Sequence, residues 1–411
     1  MLLHWLLTRL IRVGTLTLVD AGGQTRVYRG EPGPEVKVHL HNKALHWRLP
    51  LNLDLTAGEA YMDGTLTVEN ASIYDLLNLV AMNLPLLKNY PFFTLGSLVQ
   101  RALRRLHQFN ILHRARANVA HHYDISGTIY DLFLDRDRQY SCAYFARPDD
   151  DLETAQANKK DHIATKLLLR DGQKVLDIGC GWGGLALTLA RRAKVEVTGM
   201  TLSTEQVNVA IQRAQETGLA KRVHFHLRDY RKQHGRFDRI VSVGMFEHVG
   251  VGYYRTFFEK VRTLLTDDGI ALVHTIGRAD GPGATSPWIR KYIFPGGYIP
   301  ALSEVTAAVE RSRLFITDVE VLRLHYAETL RHWRERFVSN WDDAKAIYDE
   351  RFCRMWEFYL AASEVAFRHL GLVVFQIQLA RRQDAVPLTR NYLTDESRRM
   401  ARQSGEKRAA A

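Results

Sequence analysis

The feature that most constrains the fold is a glycine-dense turn between a short apolar segment and an amphipathic one. Residues 175–178 predict a buried strand, and residues 185–192 predict the helix after it. Gly179, Gly181 and Gly184 match the pattern G-x-G-x-x-G, with Gly183 beside the last of them. Such a turn lets the backbone approach a ligand and directs helix N-terminal amides at it. We expect a ligand here, and a strand-turn-helix without one is the structural alternative.

The position of one acid indicates which ligand the turn binds. Asp177 precedes the first glycine by two residues, where S-adenosylmethionine enzymes usually carry an acid for the amino-acid end of the cofactor. A dinucleotide site needs a carboxylate about 20 residues further on, at the end of the second strand. The second predicted strand, residues 195–200, is followed by Thr201 and has no such acid. The sequence therefore favours S-adenosylmethionine over a dinucleotide.

The length of the chain, 411 residues, predicts two domains. From residue 121 onward strands and helices alternate, which predicts a mostly parallel sheet with right-handed crossovers. The predicted strands are 175–178, 195–200, 222–227, 238–243, 270–276, 315–323 and 373–379. The predicted helices lie near 153–169, 184–192, 203–217, 253–265, 301–312 and 327–370. This order predicts a Rossmann-like α/β fold with a seven-stranded mixed sheet.

The N-terminal part of the chain predicts a smaller α+β domain. Two apolar segments around Gly22 and Gly23 predict a hairpin. The further predicted elements are strands at 36–41 and 49–55 and a helix at 74–84. The predicted domains are an N-terminal domain at 1–95, a basic linker helix at 96–120, the α/β domain at 121–390 and a flexible basic tail at 391–411.

Two segments between these domains have two interpretations each. Residues 84–93 are strongly apolar, and either pack against the second domain or contact acyl chains. Residues 98–117 form a basic amphipathic stretch that fits a membrane interface or a solvated interdomain helix.

Charge and cysteine content restrict the partners and the compartment. The net charge of +11 favours nucleic acid or an anionic membrane surface. Enzymes that methylate nucleic-acid amino groups usually carry Asn/Asp-Pro-Pro-aromatic after the fourth strand. Residues 245–248 read Met-Phe-Glu-His instead, so we expect no nucleic acid. The spacing of Cys142, Cys180 and Cys353 shows no disulfide framework, which fits a reducing cytosol. Neither a signal peptide nor a membrane-spanning stretch is predicted.

Several polar side chains fall at predicted strand ends, where such folds bind ligands. They are Tyr140, Ser141, Cys142, Glu247, His248, His274 and Tyr326, with His121, His122 and Tyr123 before the first strand of the α/β domain. Each has a structural alternative: Glu247 as the cap of a helix near residue 253, or His274 as a satisfied core histidine. The pairs His39/His41 and His224/His226 lack further zinc ligands, so no metal is expected.

The chain resembles the cyclopropane fatty acid synthases, which include the mycolic acid cyclopropane synthases. The matching blocks are 122–125 (HYDI), 140–145 (YSCAYF), 175–184 (VLDIGCGWGG), 201–206 (TLSTEQ), 237–242 (FDRIVS), 244–250 (GMFEHVG) and 294–298 (FPGGY). Residues 58–64 (GEAYMDG) are similar to the N-terminal lipid-binding domain of the bacterial phospholipid enzymes, which implies a lipid-binding role for residues 1–95.

The resemblance implies methylene transfer from S-adenosylmethionine to a cis double bond of a phospholipid-bound unsaturated acyl chain. The family's base is bound bicarbonate, and the implied catalytic set is Cys142, Glu247, His274, Ile276 (through its backbone) and Tyr326. The cofactor set combines Asp177 and the glycines of the turn with the positions that the resemblance implies. It consists of Tyr140, Ser141, Asp177, Gly179, Gly181, Gly183, Thr201, Gln206, Asp229 and Tyr230. We expect a bacterial cytoplasmic enzyme associated peripherally with the inner face of the cell membrane.

Two alternatives stay open. The first is a lipid C-methyltransferase that gives a methyl-branched product without a ring, and the second is a small-molecule N-methyltransferase with the same catalytic module. A non-catalytic lipid-binding protein would predict changes at Cys142, Glu247 or Tyr326, and none is present. The sequence leaves the head group, the double-bond position and a homodimer undetermined.

Overall fold

The computed structural model describes residues 2–84 and 127–399, and the chain divides into two compact units. The first unit is Met1–Arg104, Gly283–Pro295 and Ala327–Leu372, and the second is Arg105–Pro282, Gly296–Tyr326 and Val373–Ala411. Each unit draws on three segments of the chain, whereas the predicted domains are consecutive ranges. The lipid-binding and linker roles predicted for 1–95 and 96–120 stay predictions. The segments 85–93 and 98–117, and His121 to Tyr123, lie outside the described residues.

The described elements follow in chain order. The helices are α1 Leu2–Leu10, α2 Leu45–Leu51, α3 Leu53–Met62, α4 Ile73–Asn83, α5 Gly127–Asp131, α6 Leu152–Lys166, α7 Gly184–Arg192, α8 Thr204–Glu216, α9 Tyr254–Leu264, α10 Pro287–Tyr292, α11 Leu302–Ser312, α12 His325–Ser339, α13 Trp341–Ile347 and α14 Glu350–His369. The strands are β1 Val13–Val19, β2 Thr25–Arg29, β3 Glu31–Leu40, β4 Leu66–Glu69, β5 Lys174–Ile178, β6 Glu196–Thr201, β7 Val223–Leu227, β8 Phe237–Val243, β9 Leu265–Arg278, β10 Phe315–Leu322 and β11 Leu372–Ala380.

The first unit contains a four-stranded sheet in the order β2-β1-β3-β4. The predicted hairpin is confirmed, because β1 and β2 pair antiparallel with Val19 opposite Thr25. The pairing of β1 with β3 is parallel, and that of β3 with β4 is antiparallel. The predicted helix at 74–84 is also confirmed as α4, which begins with a capping box between Ser72 and Asp75.

The strand predicted at 49–55 is wrong, because these residues belong to α2 and α3. The alternating leucines of this segment matched the period of a strand. Leu45 and Leu49 are instead four residues apart and both buried, as on one face of a helix. Asn52 then begins the next helix, since its side chain accepts the Leu55 N–H at 3.4 Å. The helical stretch predicted at 327–370 is likewise interrupted into α12, α13 and α14.

The second unit contains the predicted seven-stranded mixed sheet, in the order β10-β11-β9-β8-β5-β6-β7. From β9 to β7 the neighbouring strands pair in parallel, whereas β10 and β11 pair antiparallel. Alternate residues of β5 enter two separate apolar cores. Leu176 and Ile178 pack with residues of α9 and α11, and Val175 packs with residues of α6, α7 and α8. Helices thus cover both faces of the sheet.

The beginning of the predicted loose tail is ordered. Residues 392–399 are helical, and Tyr392 is buried with its hydroxyl donating to Gln378 Oε1 at 3.1 Å. Glu396 accepts two hydrogen bonds from Arg170, at 2.7 and 3.0 Å. The prediction of a loose segment is therefore wrong for residues 391–399, because polar composition did not reveal these partners.

The helices of the part of the chain that the structure describes include none with the length and apolar character of a membrane span.

Candidate active site

The parallel strands of the second unit bring several predicted site residues to the edge of the sheet where their carboxyl ends lie. Ile178 at the end of β5 pairs with Met200 on one side and Ser242 on the other. Val243 at the end of β8 pairs with His274 of β9. Asp177, Thr201 and His274, together with the segment after β8, are therefore neighbours at one edge of the sheet.

The glycine turn after β5 fits closely against its neighbours. The N–H groups of Gly179 and Cys180 both donate to the Met200 carbonyl at 2.9 Å. Gly179 has φ +84°, and a Cβ on it would lie 2.8 Å from Met245 Cβ. Gly181 also has a positive φ, +53°, but a Cβ there would have no atom within 4 Å. The turn is thus packed at its first glycine and open at its second. Gly183, also with positive φ, packs against Phe225.

Asp177 lies near the end of β5, just before this turn, and is buried with one carboxylate oxygen unpartnered. Its side chain is 1% exposed, and Oδ2 has no hydrogen-bond partner among the residues that the structure describes. Burial raises the pKa of Asp177 to about 7, and the nearby Lys159 ammonium opposes this rise. A buried carboxylate oxygen without a donor is costly unless a donor from a ligand reaches it. The ammonium group of S-adenosylmethionine is such a donor, so Asp177 fits the predicted cofactor.

The residues after β6 and β7 continue the candidate cofactor site. The Thr201 hydroxyl donates to Gln206 Oε1 at 2.7 Å, and both side chains are buried. Asp229 is also buried, but its carboxylate already accepts from Arg231 Nε at 2.9 Å and Nη2 at 2.6 Å. Burial raises the pKa of Tyr230 to about 12, so its hydroxyl stays protonated at neutral pH.

The segment 139–143 lies against the end of β8. A Cβ on Gly244 would be 3.9 Å from Ser141 Cβ. Tyr140 makes edge contacts with Tyr130, at a ring-centroid distance of 5.3 Å, and with Phe133 at 6.2 Å. Cys142 is 1% exposed, and its Sγ lies 3.3 Å from the Ala143 carbonyl. The turn after β5, the segment after β8 and the segment 139–143 therefore meet.

Two residues that the sequence analysis missed contact this segment from α6. Gln156 Nε2 donates to the carbonyls of Gln139 and Ser141, and Lys159 Nζ donates to the Gln139 and Ser141 side chains. Both residues are fully buried. A signal was present, because Gln156 and Lys159 share the helical face of the apolar Leu152 and Ile163. Polar residues in such a stripe indicate buried partners.

Glu247 lies on the short 3₁₀ segment after β8, and it does not cap a helix. Its Oε1 accepts the backbone N–H of Ile276 at 2.6 Å, while Oε2 is buried without a partner among the described residues. Burial raises the pKa of Glu247 to about 7, although the Ile276 amide favours the charged form. The resemblance implies a role for the Ile276 backbone in the catalytic set. In this structure the Ile276 amide donates to Glu247.

His274 is only partly satisfied in the core. Its Nδ1 is 3.1 Å from Gln376 Nε2 of β11, which donates to it, so the ring proton belongs on Nε2. That Nε2 is buried and has no partner among the described residues. Burial lowers the pKa of His274 well below its ordinary value, so the ring is neutral. His274 thus offers one N–H donor at the carboxyl edge of the sheet.

Tyr326 is buried near the start of α12. The preceding residue, His325, contacts the chain that follows Cys142. His325 Nδ1 accepts the Phe145 N–H at 3.1 Å. The Tyr144 ring stacks on His325 at 4.9 Å and on His162 at 4.3 Å. These contacts tie the start of α12 to the chain that follows Cys142. His224 and His226 lie instead on β7, and the described residues contain no group of three potential metal ligands.

The arrangement combines a buried acceptor at Asp177 with a second polar position at Glu247 and His274. Glu247 Oε2 can accept a hydrogen bond, and His274 Nε2 can donate one. Bicarbonate, which carries one proton and acceptor oxygens, matches this donor and acceptor set. Cys142, Glu247 and His274 are each at most 8% exposed, so a reaction beside them would be shielded from water.

Comparisons with known proteins support the family resemblance that the sequence motifs indicate. A family described as mycolic acid cyclopropane synthetase matches residues 111–377. A probable fatty acid methyltransferase of Pseudomonas putida is 44% identical over 267 residues, which are 63% of this chain and 68% of the relative. The cyclopropane-fatty-acyl-phospholipid synthase of Escherichia coli strain K12 is 42% identical over 275 residues, 66% of this chain and 70% of the relative. A crystal structure of mycolic acid cyclopropane synthase CmaA1, complexed with SAH and CTAB, aligns with a TM-score of 0.61 at 34% identity, over 64% of this chain and 97% of that one.

Proposed function

Because the chain belongs to the mycolic acid cyclopropane synthetase family, we propose that it makes cyclopropane fatty acids. In this reaction a methylene group passes from S-adenosylmethionine to a cis double bond of an unsaturated acyl chain in a membrane phospholipid. The observation that carries the proposal is the pair of buried, unpartnered atoms Glu247 Oε2 and His274 Nε2 beside the Asp177 turn. Most buried polar atoms in proteins have a hydrogen-bond partner, so an acceptor and a donor left over at the ligand-binding edge of the sheet favour a bound polar ligand.

The proposed cofactor site is the turn after β5 with its neighbours. Asp177 would accept a hydrogen bond from the cofactor's ammonium group, and Gly179, Gly181 and Gly183 would keep the turn free of side chains. The remaining proposed contacts are Tyr140, Ser141, Thr201, Gln206, Asp229 and Tyr230. S-adenosylmethionine supplies a methyl group that an alkene can attack. The choice of cofactor is supported by the relative that was crystallised with SAH.

The proposed catalytic set is Cys142, Glu247, His274, Ile276 and Tyr326. Methyl transfer to the double bond leaves a carbocation on the acyl chain, which needs a base that removes a proton without adding to the cation. Bicarbonate would supply that base, with Glu247 accepting a hydrogen bond from its hydroxyl group and His274 Nε2 donating one to its other oxygens. The neutral state of His274 suits this role, because only Nε2 carries a proton. The proton leaves the new methyl group, and the ring then closes.

The proposed partners are phospholipids and the anionic membrane surface that contains them. The net charge of +11 supports attraction to anionic head groups. The E. coli relative is named for an acyl-phospholipid substrate, and we extend that substrate class to this chain. The proposed location is therefore the cytoplasmic face of a bacterial membrane, with peripheral attachment.

A second candidate is methyl transfer to the same double bond without ring closure. It is favoured by the 44% identical relative from Pseudomonas putida, whose name is probable fatty acid methyltransferase. Both reactions need the Asp177 site and a base. They differ in which proton the base removes, which determines whether the product keeps a double bond.

The proposal is tested with the purified full chain and vesicles of monounsaturated phosphatidylglycerol. S-adenosylmethionine labelled in its methyl group should transfer the label to the lipid. S-adenosylhomocysteine should raise the melting temperature, as a ligand of the native state does, and NADH should not. An unlabelled lipid fraction, or a thermal shift with NADH alone, would overturn the proposal.

A further inference from the structure

We propose that Gln156 and Lys159 of α6 are positioning residues that set the shape of the cofactor site through the segment 139–142. The proposal depends on the proposed function only in taking S-adenosylmethionine as the ligand. Neither residue belongs to the proposed catalytic or cofactor set.

The two side chains form hydrogen bonds to the same short segment. Gln156 Nε2 donates to the Gln139 carbonyl at 3.1 Å and to the Ser141 carbonyl at 2.9 Å. Lys159 Nζ donates to Gln139 Oε1 at 2.8 Å and to Ser141 Oγ at 2.7 Å. Residues three apart on a helix lie on one face, so the four bonds come from one turn of α6. They fix the backbone on both sides of Tyr140.

The segment 139–142 has little regular structure of its own to fix its shape. It is not part of a helix or strand; the Gln139 N–H donates to Asp135 Oδ1, and the Ser141 N–H donates to the Gln139 carbonyl, two residues earlier. Tyr140, Ser141 and Cys142 are the proposed ligand-facing residues of this segment. A shift of this backbone would therefore displace two cofactor contacts, Tyr140 and Ser141, and one catalytic residue, Cys142, together.

Lys159 also carries a buried positive charge beside the site at low pH, and because burial lowers its pKa to about 7, this charge is lost as the pH rises through that value. It acts electrostatically on Asp177, favouring the charged carboxylate, and on Cys142 and His274. The other ionisable groups that face it are Asp135, Asp137 and Lys160. Removing a lysine from water is costly, and an apolar residue of similar length would fill the space at lower cost. A role in the site accounts for a charge at this position.

The hydrogen bonds and the charge predict different effects of the two residues. Gln156→Met and Lys159→Met both remove two bonds to the segment and keep the side-chain length. Lys159→Met alone also removes the charge that favours ionised Asp177. Thr165→Val is the matched control. It removes the hydrogen bond from the buried Thr165 hydroxyl to the Asp161 carbonyl, which lies within α6 and does not involve residues 139–142.

The experiment measures S-adenosylhomocysteine binding by calorimetry across pH 6 to 9 for the full chain and the three variants. Both methionine variants should bind about tenfold more weakly, as expected for two lost hydrogen bonds. In Lys159→Met the pH at which affinity is half-maximal should also move upward. It should stay in place in Gln156→Met, and Thr165→Val should match the parent in both affinity and midpoint.

Two results would overturn the inference. One is binding within twofold of the parent in both methionine variants, and the other is an equal loss in Thr165→Val, which would indicate general destabilisation. If Lys159→Met does not fold, Gln156→Met decides the positioning role alone. A parent protein that does not bind S-adenosylhomocysteine would instead contradict the proposed function, so the two failures are distinguishable.

Discussion

At the scale of single residues, Asp177, Glu247 and His274 have one property in common. Each is nearly inaccessible to solvent, and each retains a polar atom without a partner among the described residues. Burial disfavours the charged form of all three, which raises the pKa of both acids to about 7 and lowers that of the histidine. Perturbed groups with free donors and acceptors are typical of sites that bind polar ligands.

Glu247→Gln should separate catalysis from cofactor binding. The substitution keeps the shape of the side chain and an oxygen that can accept the Ile276 N–H. It removes the second carboxylate oxygen, which would accept a hydrogen bond from the bicarbonate hydroxyl. Turnover should fall by up to about 10²- to 10⁴-fold, the range for a positioned general base, because bicarbonate, the proposed base, would lose a group that holds it. Calorimetry should give an unchanged dissociation constant for S-adenosylhomocysteine. Equal turnover of the variant and the parent would remove Glu247 from the proposed catalytic set.

The raised pKa of Asp177 predicts opposite pH dependences for folding and for ligand binding. Its pKa rises from 3.8 to about 7 in the folded protein, so the folded state holds this proton more tightly. The resulting contribution to stability is full below pH 4 and is lost as the pH rises through 7. The ligand's ammonium needs the ionised form, so affinity for S-adenosylhomocysteine should rise by about tenfold from pH 6 to well above 7.

The measurement compares the parent with Asp177→Asn in melting temperature and in ligand affinity across this pH range. Because Lys159 and Glu247 also titrate near pH 7, the difference between parent and variant isolates Asp177. A variant with the same pH profile as the parent would show that Asp177 is not the titrating group.

The sequence identified the acids at the strand ends but not their support. Asp177 and Glu247 follow from strand patterns, because parallel strands place their ends at one edge. Lys159 and Gln376 are fully buried polar residues, and composition predicts such residues at the surface. Their partners come from segments distant along the chain, which periodicity does not reveal.

At the scale of elements, the turn after β5 depends on the conformation of its glycines. Gly179→Ala should destabilise the fold more than Gly181→Ala. Both positions have a positive φ, which costs an alanine about 1–2 kcal/mol, but only at Gly179 would the new Cβ meet a neighbour, Met245 Cβ at 2.8 Å. Chemical denaturation of both variants measures this difference. Equal losses of unfolding free energy would mean that the turn relaxes around Met245.

The elements of the second unit were more predictable than those of the first. Strands β5 to β8 are short apolar runs, with amphipathic helices between β5 and β6 and between β6 and β7, and the structure places these strands within one or two residues of the prediction. The segment 49–55 matched a strand by period but folds as a helix, since Asn52 caps α3 and Leu45 and Leu49 are buried on one face of α2. Short apolar runs do not distinguish the two structures by periodicity alone.

At the scale of the whole molecule, the positive charge predicts salt-sensitive attraction to anionic lipid. Replacing Arg101, Arg104 and Arg105 with Glu should weaken binding to anionic vesicles, because each basic residue near such a surface contributes about 1 kcal/mol. These arginines lie outside the described residues, and the prediction rests on the sequence. Vesicle sedimentation at two salt concentrations measures it, with S-adenosylhomocysteine affinity as the control. Equal sedimentation of variant and parent would leave residues 98–117 without a membrane role.

The division into units was not predictable from the order of the chain. Residues 283–295 and 327–372 follow the first strands of the α/β sheet in sequence but belong to the unit that contains the N-terminus. A prediction that assigns consecutive ranges to domains cannot represent such insertions. The sheet order itself is also set by tertiary contacts, because β11, the last strand in sequence, lies between β10 and β9.

The most direct test of the account is mass spectrometry of phospholipid acyl chains from a bacterial host that lacks any cyclopropane-forming enzyme and expresses this chain. The account predicts that monounsaturated chains gain one CH₂ group and no longer react as alkenes under ozonolysis. The Glu247→Gln variant, expressed at the same level, should leave most chains unsaturated. Products that gain one CH₂ group but still react with ozone would contradict ring formation, and acyl chains identical to those of the empty host would contradict the proposed activity.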